Sequence, residues 1–363
     1  MKIFNIIIGL VIVVFLGLGL FSWRYSLFFG PGGEEKFFVV EKGENFVRLA
    51  KRLHANGIIQ NERVFRWYVN IVGSRKSLRR GEFLLQEGMS IREVLLVLTE
   101  GKPVEHKFTV PEGHNIYQIA QNLEQANLVS SASDFLNAVK SPELIAQIPT
   151  FTEGQKRPAS IEGYIYPDTY HLQKVFSAKE IATIMFSRFK EIYKQLAPEF
   201  SSAEHVRNLG MSAHDVITLA SIVEKETGAA VERPLIASVF INRLYKKMRL
   251  QTDPTIIYGI LDRDGRFDGN IRRRDISAAT AYNTYAMHGL PPGPIANPGM
   301  NAIQAVLNPA QSDYFFFVSR NNGTHIFSKN FREHQRAVRE TQLKPGVKVG
   351  KSWRDLPKEE RAN

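Results

Sequence analysis

The sequence predicts an α+β protein: one apolar N-terminal helix, a run of small strand–helix modules, then a larger mixed domain of helices and short strands. Three observations carry this. An unbroken apolar stretch opens the chain, a strand–glycine–capped-helix pattern recurs in its first third, and the composition shifts after residue 160 toward Tyr, Asn, Gly and Pro framed by strong helices. The chain has 363 residues of which 44% are apolar, enough to bury a sizeable core and to exclude a largely disordered protein. Cysteine is absent, which removes disulfide scaffolds, thiol nucleophiles and Cys-based metal sites. Lys and Arg number 47 against 36 Asp and Glu, a net charge of +11 that favours anionic surroundings. The only dense basic clusters are Arg75 to Arg80 and Arg272 to Arg274, and no readout motif interleaves them with aromatics, so nucleic acid is not an expected partner.

Ile3 to Trp23 is apolar except for Asn5 and Ser22. At ~1.5 Å rise per residue the stretch spans about 31 Å, the hydrocarbon thickness of a bilayer. No small-x-small cleavage site follows, and Trp23 and Tyr25 suit the membrane interface, so an uncleaved anchor is expected over residues 1–25. The flanking charges, Lys2 and Arg24, leave its orientation open.

Phe38-Val39-Val40-Glu41-Lys42-Gly43-Glu44-Asn45 is echoed by Phe108-Thr109-Val110-Pro111-Glu112-Gly113-His114-Asn115, with a weaker copy at Gly88-Met89-Ser90. Each copy places an Asn or Ser two residues after a Gly, where an N-cap belongs, directly before an apolar run of helical period. Phe46, Leu49, Ala50 and Leu53 match Ile116, Ile119, Ala120 and Leu123, while Ile91, Val94, Leu95 and Leu98 serve the middle copy. Gly57 and Gly101 fall where helix C-termini use a left-handed residue. The region 36–126 resembles a set of LysM-like units, modules that bind chains containing N-acetylglucosamine; a repeat used only for packing fits the same pattern.

The mixed domain is expected over residues 158–343, with a basic tail at 344–363. Its central helix runs from Ala213 to about Thr227, with Val216, Leu219, Ala220, Val223 and Thr227 as the apolar stripe. At about 100° per residue, Glu224 and Glu226 fall on opposite margins of that stripe. A half-desolvated carboxyl there keeps its proton toward neutral pH, as a general acid requires. Periodicity does not choose between the two.

The string Ala220-Ser221-Ile222-Val223-Glu224-Lys225-Glu226-Thr227 resembles the signature of the YceG-like (MltG) family of membrane-anchored endolytic murein transglycosylases. Ile161-Glu162-Gly163-Tyr164-Ile165-Tyr166-Pro167-Asp168-Thr169-Tyr170 matches as well, as does Ala237 to Leu244. So do Met248-Arg249-Leu250-Gln251-Thr252-Asp253-Pro254-Thr255-Ile256-Ile257-Tyr258-Gly259, Ala281-Tyr282-Asn283-Thr284-Tyr285, and Gly289 to Gly299. The resemblance covers nearly the whole chain. It implies cleavage of peptidoglycan between N-acetylmuramic acid and N-acetylglucosamine to give 1,6-anhydro ends, with Glu224 as the catalytic acid. It also implies a single-pass inner-membrane protein with its body outside the cytoplasm, glycan strands and membrane lipid as partners, and synthases nearby. A wall-binding scaffold without activity is the alternative.

Glu162, Tyr164, Gln251, Asp253, Tyr258, Asn283 and Tyr285 offer carboxylate, amide and ring surfaces suited to a sugar groove. Tyr164 and Tyr285 equally suit internal packing, and Asp253 equally suits a helix start at Pro254. Pro291-Pro292-Gly293 reads as a rigid wall. Glu333-His334-Gln335 departs slightly from the family's Glu-His-Asn. The nine histidines show no ligand spacing, so no metal or other cofactor is expected.

Overall fold

A computed structural model describes residues 13–14, 16–17, 33–73, 77–151 and 157–342, and they form two compact units of mixed α+β character. Of the expected anchor only Val13, Val14, Leu16 and Gly17 fall among them, and these are helical. The rest of Ile3–Trp23 and the tail at 344–363 lie outside the described residues. Among the described residues no helix is long and apolar enough to cross a membrane.

The first unit comprises the chain up to His106 together with His171–Phe176. Strand β1 (Glu35–Val40) pairs antiparallel with β2 (Gly81–Gln86), Phe38 opposite Phe83. Between them lie helices α1 (Phe46–Ala55) and α2 (Glu62–Tyr68), and α3 (Ile91–Glu100) follows. The period-two alternation of β1 turns Phe38 and Val40 inward onto Leu49, Leu53, Phe65, Val94 and Leu98. Glu82, buried at the start of β2, binds His106 at 2.6 Å and Lys174 at 3.5 Å.

The second unit comprises Lys107–Tyr170 and the chain from Ser177 onward. It contains most of β3 (His106–Thr109), then α4 (Ile116–Gln125), α5 (Ala132–Val139), α6 (Pro142–Ala146) and part of β4 (Thr169–Leu172). Helices α7 (Ala178–Ser202), α8 (Glu204–Asn208), α9 (Ala213–Glu226), α10 (Arg233–Tyr245), α11 (Asp253–Asp264), α12 (Arg273–Ser277) and α13 (Met300–Leu307) follow. The hairpin β5 (Phe316–Ser319) and β6 (His325–Ser328) and helix α14 (Phe331–Thr341) complete it. Helix α9 lies at its centre, packed on α10 and α13. The division falls between His106 and Lys107, so the repeat copy opening at Phe108 belongs to the second unit although the sequence groups it with 36–126.

All three repeat copies fold alike locally. Gly43, Gly88 and Gly113 adopt φ of 75°, 74° and 75°. Asn45, Ser90 and Asn115 then cap helices of ten residues each, accepting from the N–H groups of Arg48, Glu93 and Gln118. Gly57 is left-handed as expected, with φ 72°. Gly101 is not: its φ is −61°, and it is required for space, because a Cβ would collide with the Val97 carbonyl.

Gly163 combines both demands. It sits at φ 84°, and a Cβ would collide with Pro294 and approach Ile217 of α9 to 3.3 Å. Gly210, at φ 63°, has open space around it. Gly163→Ala should therefore lower stability by about 2–5 kcal/mol, combining left-handed strain with overpacking, against about 1–2 for Gly210→Ala. Urea unfolding of the two variants checks this, and equal losses would refute the packing role of Gly163.

Candidate active site

Helix α9 starts at a capping box, in which the Ser212 hydroxyl accepts from Asp215 N–H and the Asp215 carboxylate accepts from Ser212 N–H. The expected apolar stripe is present, but Val216 to Glu224 are buried on every side rather than along one face. The reason lies in residues 291–299, which cover the polar side of the helix. His214 Nε2 donates to the Pro292 carbonyl at 3.0 Å, Ile295 N–H donates to the Ser221 hydroxyl at 3.0 Å, and Gly299 N–H donates to Glu224 Oε2 at 3.0 Å. The three bonds tie successive points of this bent segment to successive positions along the helix.

Only 4% of the Glu224 side chain is exposed. Its Oε1 receives a hydrogen bond from Arg233 Nη2 at 2.7 Å, the guanidinium projecting from the first residue of α10. The same Nη2 lies 3.5 Å from Glu112, whose side chain is 44% exposed, and Arg233 Nε is buried without a partner. Gly113 closes the remaining side: a Cβ there would lie 3.4 Å from Glu224 Cγ, and its carbonyl accepts from Lys225 Nζ at 3.2 Å. Burial pushes the Glu224 carboxyl above the ordinary range, Arg233 opposes it, and the nearby Glu112 charge adds to the rise. Burial outweighs the cation. The position also works against the helix, because the last turn of α9 is the negative end of its dipole.

A second buried carboxyl organises the segments around the first. Glu162 Oε2 accepts from Ile116 N–H and Oε1 from Asn297 Nδ2, both at 2.9 Å, and the nearby Tyr258 hydroxyl favours its charged form. Burial pushes Glu162 up to about 8. Asn297 Nδ2 also donates to the His114 carbonyl at 2.9 Å, and Asn297 Oδ1 accepts from Ile165 N–H at 2.9 Å.

Glu226 leaves the opposite margin of α9 and accepts from the Thr252 hydroxyl, with burial raising its carboxyl too. Around it stand Gln251, exposed at φ 49°, and Asp253, which accepts from Tyr285 Oη at 2.7 Å. Asp253 opens α11 after the N-cap Thr252 and makes no cap of its own. Of the residues expected in a groove, Gln251, Asp253 and Tyr285 thus gather beside Glu226, while Glu162 and Tyr258 gather behind the segments touching Glu224.

Tyr164 and Asn283 take the packing role. Tyr164 is wholly buried, and its hydroxyl donates to His214 Nδ1 at 2.5 Å and bonds Thr150 at 2.9 Å. Asn283 Nδ2 donates to the carbonyls of Asp275, Ile276 and Ala278, holding a loop. The sequence alone assigns no role to Glu112, Arg233 or Asn297. Glu112 and Asn297 lie inside quoted motifs, but Arg233 carries no local signal. A polar cavity of about 650 Å³ between α8, α10 and residues 307–313 contains none of these groups. Among the described residues no three His, Asp or Glu side chains gather as a metal site.

The profile of the YceG-like family matches residues 38–340. An endolytic murein transglycosylase of Bacillus subtilis strain 168 is 32% identical over 82% of this chain and 82% of its own length. One from Streptococcus pneumoniae strain D39 is 29% identical over 90% of this chain, which spans 64% of that relative's length. A crystal structure of a YceG-like protein from Listeria monocytogenes superposes with a TM-score of 0.56 at 32% identity, covering 84% of this chain and 99% of the other. With the family's pattern running through both units and a relative this similar over most of both lengths, the chain belongs to the YceG-like family.

Proposed function

We propose that this protein is a lytic murein transglycosylase in which Glu224 is the single acid and base. One observation carries the reading: the Glu224 carboxyl is nearly sealed from water yet held at both oxygens, by a guanidinium and by a backbone N–H. Burial favours the protonated acid, while Arg233 and Gly299 stabilise the carboxylate left after proton transfer. A group that must give up a proton and take one back needs both influences.

The steps balance without water. Glu224 protonates the glycosidic oxygen between N-acetylmuramic acid C1 and the N-acetylglucosamine that departs, and the C1–O bond breaks. The C6 hydroxyl of the same muramic acid attacks C1, forming the 1,6-anhydro bond, and its proton passes to the Glu224 carboxylate. The nucleophile is intramolecular, so no second carboxylate is needed to activate water. Glu112 is the most exposed member of the group, and its 3.5 Å contact to Arg233 is the loosest around the carboxyl. Substrate enters by displacing it. Gln251, Asp253 and Tyr285, beside Glu226, supply polar contacts to the flanking sugars.

The wider role follows from the same reading. The segment Ile3–Trp23 anchors the protein in the cytoplasmic membrane with its body outside, beside the synthases, where it ends nascent glycan strands. The LysM-like modules hold the strand. Support comes from the first module, which closes on itself through the antiparallel pairing of β1 and β2 after two intervening helices.

Glu224→Gln should abolish release of anhydromuropeptides from purified sacculi, by about three orders of magnitude or more. It should also lower the melting temperature, because Arg233 loses its buried carboxylate, with circular dichroism at the assay temperature checking that the variant is folded. Wild-type-like release by that variant excludes Glu224. Sacculus binding by the wild type with no product in mass spectrometry favours the scaffold instead.

The pH profile offers an independent check. A general acid acts protonated, so activity falls as pH rises through the Glu224 pKa, which burial has raised above the usual value of about 4.3. Arg233 lowers that pKa, so Arg233→Gln should move the alkaline limb of kcat to higher pH. A limb that stays in place would show that Glu224 does not set it.

A further inference from the structure

We infer that Glu162 and Asn297 are a positioning pair that clamps the two backbone segments bracketing the Glu224 carboxyl. The inference rests on the role proposed for Glu224 and assigns Glu162 a task other than touching substrate.

Glu162 is 3% exposed and makes no salt bridge among the described residues, the Lys225 ammonium acting on it only through space. A buried carboxyl without a counter-charge is costly unless donors converge on it, and here they do. Oε2 accepts from Ile116 N–H, one of the donors that the start of α4 leaves without a helical partner, and Oε1 accepts from Asn297 Nδ2. Both oxygens accept from protein donors, and the carboxyl is shut off from solvent.

Asn297 uses every polar group it has. Its Nδ2 donates to both Glu162 and the His114 carbonyl, and Oδ1 accepts from Ile165 N–H. Its own N–H donates to the His114 carbonyl at 3.0 Å, and its carbonyl accepts from Gly113 N–H at 2.9 Å. These bonds tie residues 113–116 to residues 295–299. Each segment then reaches Glu224 within two residues of the tie, Gly113 against its Cγ and Gly299 by an N–H to Oε2. None of these contacts belongs to a helix ladder or a sheet. Two of these bonds are purely main-chain; the pair adds the side-chain bonds that hold this junction against the start of α4 and against residue 165, and with it the position of the Gly299 donor.

Exchanging carboxylate and amide tests this. In Glu162→Gln the new amide must face either Ile116 N–H or Asn297 Nδ2, donor against donor. In Asn297→Asp two carboxylates meet. In the double variant a Gln amide donates to an Asp carboxylate again, although the bond to His114 is lost. Each single variant should lower kcat about tenfold or more with KM near wild type, and the double variant should recover part of it. Amide exchange read by mass spectrometry should rise about tenfold across 113–116 and 295–299 in the single variants but stay unchanged in 216–222.

Unchanged exchange in those segments overturns the pair, as does a raised KM at unaltered kcat, which marks a substrate contact. If a single variant fails to fold, restored folding in the double variant supports the pair and its absence overturns it. Exchange needs no turnover, so a wild type that makes no anhydro product defeats the role of Glu224 without touching the clamp.

Discussion

The structure is governed by one demand, that a carboxyl at the end of a central helix be kept out of water without being left alone. Taking a carboxylate and a guanidinium into a protein interior costs on the order of several kcal/mol per ion, and a pair so formed is a poor device for stability. Here the cost is compounded, since Glu224 and Glu226 both stand in the last turn of α9, where the backbone's own partial charge is negative. A sequence selected for stability alone would place Lys or Arg there. The enclosure by residues 111–115, by residues 291–299 and by Arg233 is explicable as the means of holding an acid whose proton affinity must sit between that of a free carboxyl and that of a fully desolvated one.

Enclosure brings its own requirement. The segment over α9 is irregular and buried, so each of its N–H and carbonyl groups needs a partner that no ladder supplies. Ser221, His214 and Glu224 meet some of these from the helix side, at positions where a core helix would ordinarily carry aliphatics. The backbone of Asn297 is met from the other side, by the His114 carbonyl and the Gly113 N–H. The polar residues of α9 and the Gly-Pro-rich character of 289–299 are therefore one feature seen from two sides, and Gly163 is glycine because Pro294 of that segment lies against it.

What the sequence makes legible follows from the range of the forces involved. The capped helices after Gly43, Gly88 and Gly113 are readable because cap, turn and apolar run lie within ten residues of one another. The two glutamates of α9 are readable as occupying opposite margins, since helical geometry alone decides it. Which one meets a cation is not readable, because Arg233 arrives from another helix and its placement depends on how α9 and α10 pack. Tyr164 and Asn283 illustrate the same limit in reverse: ring and amide chemistry suits a sugar as well as it suits a buried hydroxyl or a loop carbonyl, and only burial separates the two uses. Gly101 needed glycine as expected, but for room rather than for backbone handedness.

The third repeat copy shows how a packing module comes to border the candidate site through few changes. Its turn has the geometry of the first, with the same φ at glycine and the same Asn cap. The residue before that glycine is Lys42 in the first copy and Glu112 in the third, and the third lies against Arg233. The residue after it is Glu44 in the first copy, held by Arg52 of the following helix, whereas His114 of the third offers its carbonyl to Asn297. The helix of the third copy also gains a second cap from outside, with Glu162 accepting from its first N–H beside the local Asn115. Nothing in the shared fold was altered to achieve this. A rigid turn presents its flanking side chains and carbonyls in fixed directions, so reversing one charge and supplying acceptors from a neighbouring segment suffices to turn a module's edge into one wall of the site.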